Sequence, residues 1–312
     1  VKQKYNWKFI FLEEKIFQYP NINETAFSIN LLGLHLNVQW YGLSYIAGIL
    51  LAWFFMAKLV QNKDLWVSFK SIIERDEVDD LITYMILGII VGGRLGYCLF
   101  YAPGYYFDNP IKTIFIWEGG MSFHGGFLGV LISGILFGVR KKISLLSLGD
   151  LIAFASPPGL FFGRIANFIN GELWGKPTTS TFGIQFTKGN GQFCPTPNEI
   201  PCFRHPSQLY EAFFEGIVLM TIFYYLVFVS KALKKPGMIF GSFLLGYGVI
   251  RFSIEFLREP DAFFITNENP YGYIVQFFPG IGISMGQLLT VPMIIFGLLM
   301  IVLVSKRNLN AN

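Results

Sequence analysis

The chain has 312 residues, 53% hydrophobic and 18% aromatic but only 14% charged, against about 25% charged in a soluble domain. With a mean hydropathy of +0.49, that balance excludes an ordinary soluble globule and indicates a membrane protein before any motif is read. The formal net charge of +4 is too small to argue for nucleic acid and is better read as a topology signal.

The stretch 1–38 bears lysines and asparagines and reads as an arm outside the bilayer. Its apolar run Phe9–Leu12 is shorter than the roughly 7–15 residues of a signal-peptide core, so the first apolar span is expected to serve as an uncleaved membrane signal. Leu34, Leu36, Val38 and Trp40 alternate with His35, Asn37 and Gln39, which predicts a short strand. About 20 apolar residues cross a bilayer as a helix, and seven stretches qualify: 39–60, 79–101, 119–139, 145–170, 208–230, 239–257 and 284–305. Pro157-Pro158-Gly159 interrupts the fourth, a break tolerated only where protein or water satisfies the freed carbonyls. Between the fourth and fifth spans, 171–207 reads as a head loop. It holds an expected strand at Thr181–Thr187, a turn at Gly189-Asn190-Gly191 and a Pro-rich run to Pro206. The expected fold is an all-α polytopic membrane protein of about seven transmembrane helices. They form one domain over 39–305, with a small extracytoplasmic head containing short strands and a cytoplasmic tail at 306–312.

Basic residues alternate between the connections. One set holds Lys58, Lys63, Lys70 and Arg75, then Arg140-Lys141-Lys142, then Lys231, Lys234 and Lys235, and finally Lys306-Arg307. The opposite set holds Lys112, Lys176, Lys188, Arg204 and Arg258. The richer set marks the cytoplasm, giving amino terminus out and carboxyl terminus in, although Lys2, Lys4, Lys8 and Lys15 reduce the contrast. In that orientation Arg94, His124, Arg164, Asn167, Asn170, Glu172, Arg251 and Glu255 all lie toward the outer face. A charge at the hydrocarbon centre costs roughly 2.5–3.5 kcal/mol on insertion scales, so such residues are functional candidates by default.

Gly119–Gly129 surrounds His124 with glycines. Helix packing through Gly125-x-x-x-Gly129 explains the glycines but not the imidazole, whose ordinary pKa near 6.5 suits proton transfer. In Gly163–Gly175, Arg164 and Asn167 share a helix face; with Glu172 they gather around a pocket, or Arg164 and Glu172 simply pair to close the helix. Tyr247, Arg251 and Glu255 form a polar stripe at successive i, i+4 steps. A second arginine offers a phosphate two planar, permanently charged donors, and Arg94 is either a third or the partner of a carboxylate. Ser207 is a candidate N-cap for the fifth span, with Glu211 favouring the helix dipole in a supporting role. Tyr41 is placed to reach the pocket from an interfacial Trp40-Tyr41-Gly42. Cys194 and Cys202 share a loop and pair if it faces an oxidising compartment. Cys202 and His205 have metal-like spacing but lack a full ligand set. No phosphate-binding G-x-x-x-x-G-K-[ST] loop is present, so neither metal nor nucleotide cofactor is expected.

Five blocks carry a resemblance: W-Y-G at 40–42, G-G-M-S-F-H-G-G at 119–126, G-R-I-A-N-F-I-N-G-E-L-W-G at 163–175, H-P-S-Q-L-Y-E-A at 205–212 and R-F-x-I-E-F-x-R-E-P-D at 251–261. In this order they resemble the prolipoprotein diacylglyceryl transferase family. The resemblance implies a seven-helix transferase of the bacterial inner membrane, embedded among membrane lipids. Such an enzyme moves the diacylglyceryl group of phosphatidylglycerol to the lipobox cysteine of a preprolipoprotein, forming a thioether and releasing glycerol-1-phosphate. It further implies that Tyr41, His124, Arg164, Asn167, Glu172, Gly175, Tyr247, Arg251 and Glu255 match positions linked to activity. In that chemistry Arg164 and Arg251 stabilise charge on the leaving phosphate. His124, helped by Tyr247, takes the thiol proton, and Asn167 and Glu172 position the headgroup. In a competing assignment the arginines lower the thiol pKa and His124 only orients lipid. An anion transporter or receptor, or another lipid-headgroup transferase, is the rival class; no internal repeat favours transport.

Overall fold

The computed structural model describes residues 17–309 except 21, 32–33, 189–201, 261–263, 267 and 279–280. Helices α1 (Trp40–Gln61), α2 (Glu77–Phe100), α3 (Pro103–Asp108), α4 (Phe123–Lys141), α5 (Leu145–Ala155) and α6 (Pro157–Asn170) come first. They are followed by α7 (Ser207–Val229), α8 (Met238–Ile254) and α9 (Met285–Leu309). Among these, α1, α2, α7 and α9 are each long and apolar enough to cross a membrane, and α5 with α6 forms a further candidate bent by 41°. The chain is therefore a multi-pass membrane protein, with four such helices among the described residues, or five counting the bent pair, where the sequence predicts seven. The other two expected spans are the 19-residue α4, polar at both ends with His124 and Arg140-Lys141, and the 17-residue α8.

The bend has a local cause. Prolines at 157 and 158 cannot donate to the preceding turn, so α5 ends and α6 restarts with proline in its first positions. The Ser156 hydroxyl donates to Ile152 O at 2.7 Å, replacing part of what is lost. Helix α8 starts against α5: wholly buried Asp150 accepts from Gly237 N at 2.6 Å and Phe240 N at 2.8 Å. It satisfies amide groups that a helix start leaves unpaired.

Helices α2 and α4 meet backbone to backbone. A Cβ on Gly88, Gly92 or Gly96 would stand 2.3–2.7 Å from atoms of Gly129 or Gly125, so this is close small-residue packing of membrane type. Lys141 at the end of α4 bonds Glu77 at the start of α2 at 2.9 Å, and Trp53 in the second half of α1 donates to Asp79 at 2.6 Å. Helix α2 thus runs antiparallel to both neighbours, and its Arg94 end lies with the first turns of α1 and α4. A buried core including Met56, Trp66, Leu81, Phe137, Phe154 and Phe223 fills the opposite end. Leu50, Leu87, Ile135 and Phe296 are exposed outward, as helices facing hydrocarbon require.

Strand β3 (Leu34–Gln39) forms as expected and pairs antiparallel with β2 (Thr25–Leu31), preceded by β1 (Phe17–Gln18). In the expected strand at 181–187, only β4 (Ile184–Gln185) is extended, because a turn closing Gly183 N onto Ser180 O at 2.8 Å occupies its start. It pairs in parallel with β1 and antiparallel with β5 (Phe203–Arg204). An unexpected hairpin, β6 (Val275–Phe278) and β7 (Ile281–Ile283), precedes α9. Cys202 is buried and disulfide-bonded; Cys194 and the turn at 189–191 lie outside the described residues.

Candidate active site

Gly171 ends α6 with φ +65°, a left-handed conformation glycine adopts without penalty. The reversal brings Glu172 N to Asn167 O at 3.1 Å and turns the Glu172 carboxylate back over the helix end. Asn167 Nδ2 donates to Glu172 Oε1 at 3.1 Å. The Tyr41 hydroxyl donates to the same oxygen and accepts from Asn167. Three sequence-predicted residues, one from α1 and two from the end of α6, thus form one knot. Glu172 pairs with Tyr41 and Asn167, in place of the considered Arg164–Glu172 pair.

One turn earlier on α6, Arg164 faces α7. Its Nη1 lies 3.3 Å from Glu211 Oε2 and its Nε 3.3 Å from Glu215 Oε2. From α8, Arg251 reaches Glu211 Oε1 at 2.7 Å with Nη1 and Glu255 at 2.8 Å with Nη2. Arg258 adds a longer contact to Glu211 at 3.4 Å. Glu255 also accepts from Ser284 at 3.0 Å, and a Cβ on Gly286 would meet its Oε1 at 2.5 Å. Both carboxylates on α7 are wholly buried, whereas the arginine side chains keep 11–16% exposure. Tyr247 is half-buried, stacked on Phe243, and within electrostatic reach of Glu215, Arg164, Arg251 and Glu211. Arg164 also feels Tyr41, so the knot and the arginine cluster are neighbours.

Gly175 is a backbone crossing. Its N–H donates to His205 O at 2.8 Å, and a Cβ there would meet His205 O and Leu257 O at 2.6 Å. Its sequence-predicted place near the substrate is thus accompanied by a packing reason for glycine. Ser207 does not cap α7; its hydroxyl donates to Leu173 O at 2.9 Å, and Pro206 occupies the cap position. Burial lowers the pKa of His205, whose Nδ1 lies 3.4 Å from the Tyr210 hydroxyl.

Arg94 is buried, and its five N–H groups all meet backbone carbonyls. Nε donates to Thr113 at 2.9 Å, Nη2 to Lys112 at 2.7 Å and Phe115 at 3.0 Å, and Nη1 to Gly119 and Gly120. The expected phosphate or carboxylate partner is replaced by a loop, whose converging carbonyls accept from every arm of the guanidinium fork. Arg94 thereby fixes the entry to α4. There Ser122 accepts from Gly125 N at 3.2 Å as N-cap, and exposed His124 follows in the first turn. Tyr41, Arg94, His124, Arg164, Asn167, Glu172, Tyr247, Arg251 and Glu255 all occupy one end of the bundle. The bonded network belongs to α1, α6, α7 and α8 with the chain that follows them, while His124 belongs to α4, packed on α2.

The supporting role expected of Glu211 takes the form of contacts to three arginines rather than to the helix dipole, and Glu215 and Arg258 were not among the expected site residues. Glu211 and Glu215 are four apart, hence on one helix face, inside an otherwise apolar span. The same energetic argument that singled out the arginines applied to them. Among the described residues no group of three or more His, Cys, Asp or Glu side chains could hold a metal ion.

Residues 28–303 match the family described as prolipoprotein diacylglyceryl transferase. The chain belongs to that family. Relatives named phosphatidylglycerol–prolipoprotein diacylglyceryl transferase include one from Cereibacter sphaeroides, 49% identical over 90% of this chain and 95% of its own length. Another from Roseobacter denitrificans is 46% identical over 91% and 96%, and one from Rickettsia felis 48% over 89% and 95%.

Proposed function

We propose that this chain transfers the diacylglyceryl group of phosphatidylglycerol to the lipobox cysteine of a preprolipoprotein, a step of lipoprotein maturation. The observation that carries it is the meeting of Arg164 and Arg251 at one buried carboxylate in a member of this family. The cysteine sulfur attacks the carbon of the diacylglyceryl unit that bears the phosphate: a C–S bond forms, that carbon's C–O bond breaks, and glycerol-1-phosphate departs with the electron pair. Arg164 and Arg251 receive the charge growing on the phosphate oxygens. The Tyr41–Asn167–Glu172 knot and Glu255 hold the headgroup and its arginines in place.

A free thiol has a pKa near 8.5 and reacts as thiolate; His124, with Tyr247, takes the proton. The placement of His124 on α4, apart from the helices that hold the arginine cluster, favours a second assignment. In it the arginines ionise the thiol and His124 orients the lipid. The seven spans, the bacterial inner membrane, the amino terminus outside and the site toward the outer leaflet complete the proposal, supported by the basic residues gathered at the opposite bundle end. The test is radiolabelled phosphatidylglycerol with a lipobox peptide. Labelled peptide is the expected result, and lipid binding or uptake with no labelled peptide would overturn it.

A further inference from the structure

The three arginines of the cluster face three carboxylates: Glu211, Glu215 and Glu255. The charges in direct contact are therefore equal in number, with the Glu172 carboxylate close by, and a phosphodiester adds a negative charge to a largely buried place. Such an excess is costly in low dielectric unless a proton accompanies it. The carboxylates are unequal. Glu211 meets Arg164, Arg251 and Arg258. Glu255 meets Arg251 and the Ser284 hydroxyl. Glu215 has a single arginine contact, to Arg164 Nε at 3.3 Å. Oε2 of Glu211 and of Glu255 also lack a hydrogen-bond donor but each meets an arginine, whereas the wholly buried Oε1 of Glu215 has neither a donor nor an arginine contact among the described residues. The groups facing it are Arg164 from α6, Tyr247 and Arg251 from α8, and Glu211 on its own helix. It lies where α7 widens into π-helical turns, Ala212–Val218, a local geometry frequent at functional sites.

We infer that Glu215 is the positioning residue that matches the arginine site to an anionic headgroup: it holds Arg164 as a carboxylate when the site is empty and takes up one proton from water when a lipid phosphate takes over that guanidinium. This rests on the transfer activity proposed above and adds a proton to its binding step. One proton taken up on binding means that KM for phosphatidylglycerol rises about tenfold per pH unit wherever Glu215 is ionised in the empty enzyme.

The experiment uses the full chain in phosphatidylcholine nanodiscs, with phosphatidylglycerol varied at saturating lipobox peptide between about pH 6 and 9. The expected result is a pH-dependent KM in the unaltered protein, a flat KM in Glu215→Gln and a retained slope in Glu215→Asp. A slope that survives Glu215→Gln, or a flat profile in the unaltered protein, overturns the inference. Should Glu215→Gln fail to fold, calorimetry of phosphatidylglycerol binding to the unaltered protein in two buffers of different ionisation enthalpy decides. One proton per lipid supports the inference, and none overturns it. Absence of labelled peptide at every pH would instead defeat the transfer activity, and calorimetry would still test the proton.

Discussion

Arg164 and Arg251 grip opposite oxygens of the Glu211 carboxylate, at 3.3 and 2.7 Å. Two like charges from α6 and α8 are thereby held together and fixed in orientation before any lipid arrives. Preorganised donors of this kind stabilise a transition state without reorganising at the moment of reaction. Buried ion pairs contribute little net stability, but removing one partner leaves the others uncompensated.

Glu211→Ala removes the carboxylate shared by three guanidinium groups, leaving Arg164 with Glu215 alone and Arg251 with Glu255 alone, and the expected loss of stability is about 3–5 kcal/mol, read as a lowered unfolding temperature in detergent. Arg251→Lys is milder for the fold and severe for the chemistry. One ammonium cannot reproduce the separate bonds of Nη1 to Glu211 and Nη2 to Glu255. Its kcat should fall about 10²–10³-fold while phosphatidylglycerol still binds; an unchanged kcat would remove Arg251 from the transition state.

The α2–α4 contact makes a second, independent prediction. A Cβ on Gly129 would lie 1.9 Å from Gly88 O, a backbone atom with no room to move, whereas one on Gly159 would meet nothing within 4 Å. Gly129→Ala should cost about 1–3 kcal/mol through overpacking, seen in thermal unfolding. Gly159→Ala should be neutral or slightly stabilising. Equal behaviour of the two variants would refute backbone-to-backbone packing there.

What was legible beforehand followed from cost and period. Arginines in apolar stretches are expensive wherever they occur, so Arg164 and Arg251 stood out, and the alternation at 34–40 gave β3. The partners were less legible. Glu211 was explained by the helix dipole, an adequate local account that hid its contacts to α6 and α8. Arg94 carried the same signal as the other arginines but serves loop carbonyls, because burial cost says that a charge needs a partner without saying which. Nothing local announces that Asp150 caps α8 from another helix.

His205 gives a pH signature outside the membrane helices. Burial lowers its folded pKa below the ordinary 6.5, so the unfolded chain takes up the proton first. Stability is unaffected above about pH 6.5, falls as pH drops below it, and levels off once the folded form also protonates. Thermal unfolding between about pH 7 and 5 should show that decline, and His205→Gln should flatten it. A slope identical in the variant would assign the effect elsewhere.

His124→Gln separates the two roles proposed for the imidazole, because the Ser122 cap and the glycines against α2 remain untouched. If His124 is the base, kcat for transfer falls about 10²–10⁴-fold at neutral pH. That deficit shrinks as pH approaches about 8.5, where the peptide thiol ionises unaided. If it orients lipid, the loss falls on KM for phosphatidylglycerol and keeps its size across the same range, since no proton transfer has been removed. Measuring both constants at neutral and alkaline pH therefore assigns the residue. A variant with near-normal constants would exclude both roles and leave ionisation of the thiol to Arg164 and Arg251.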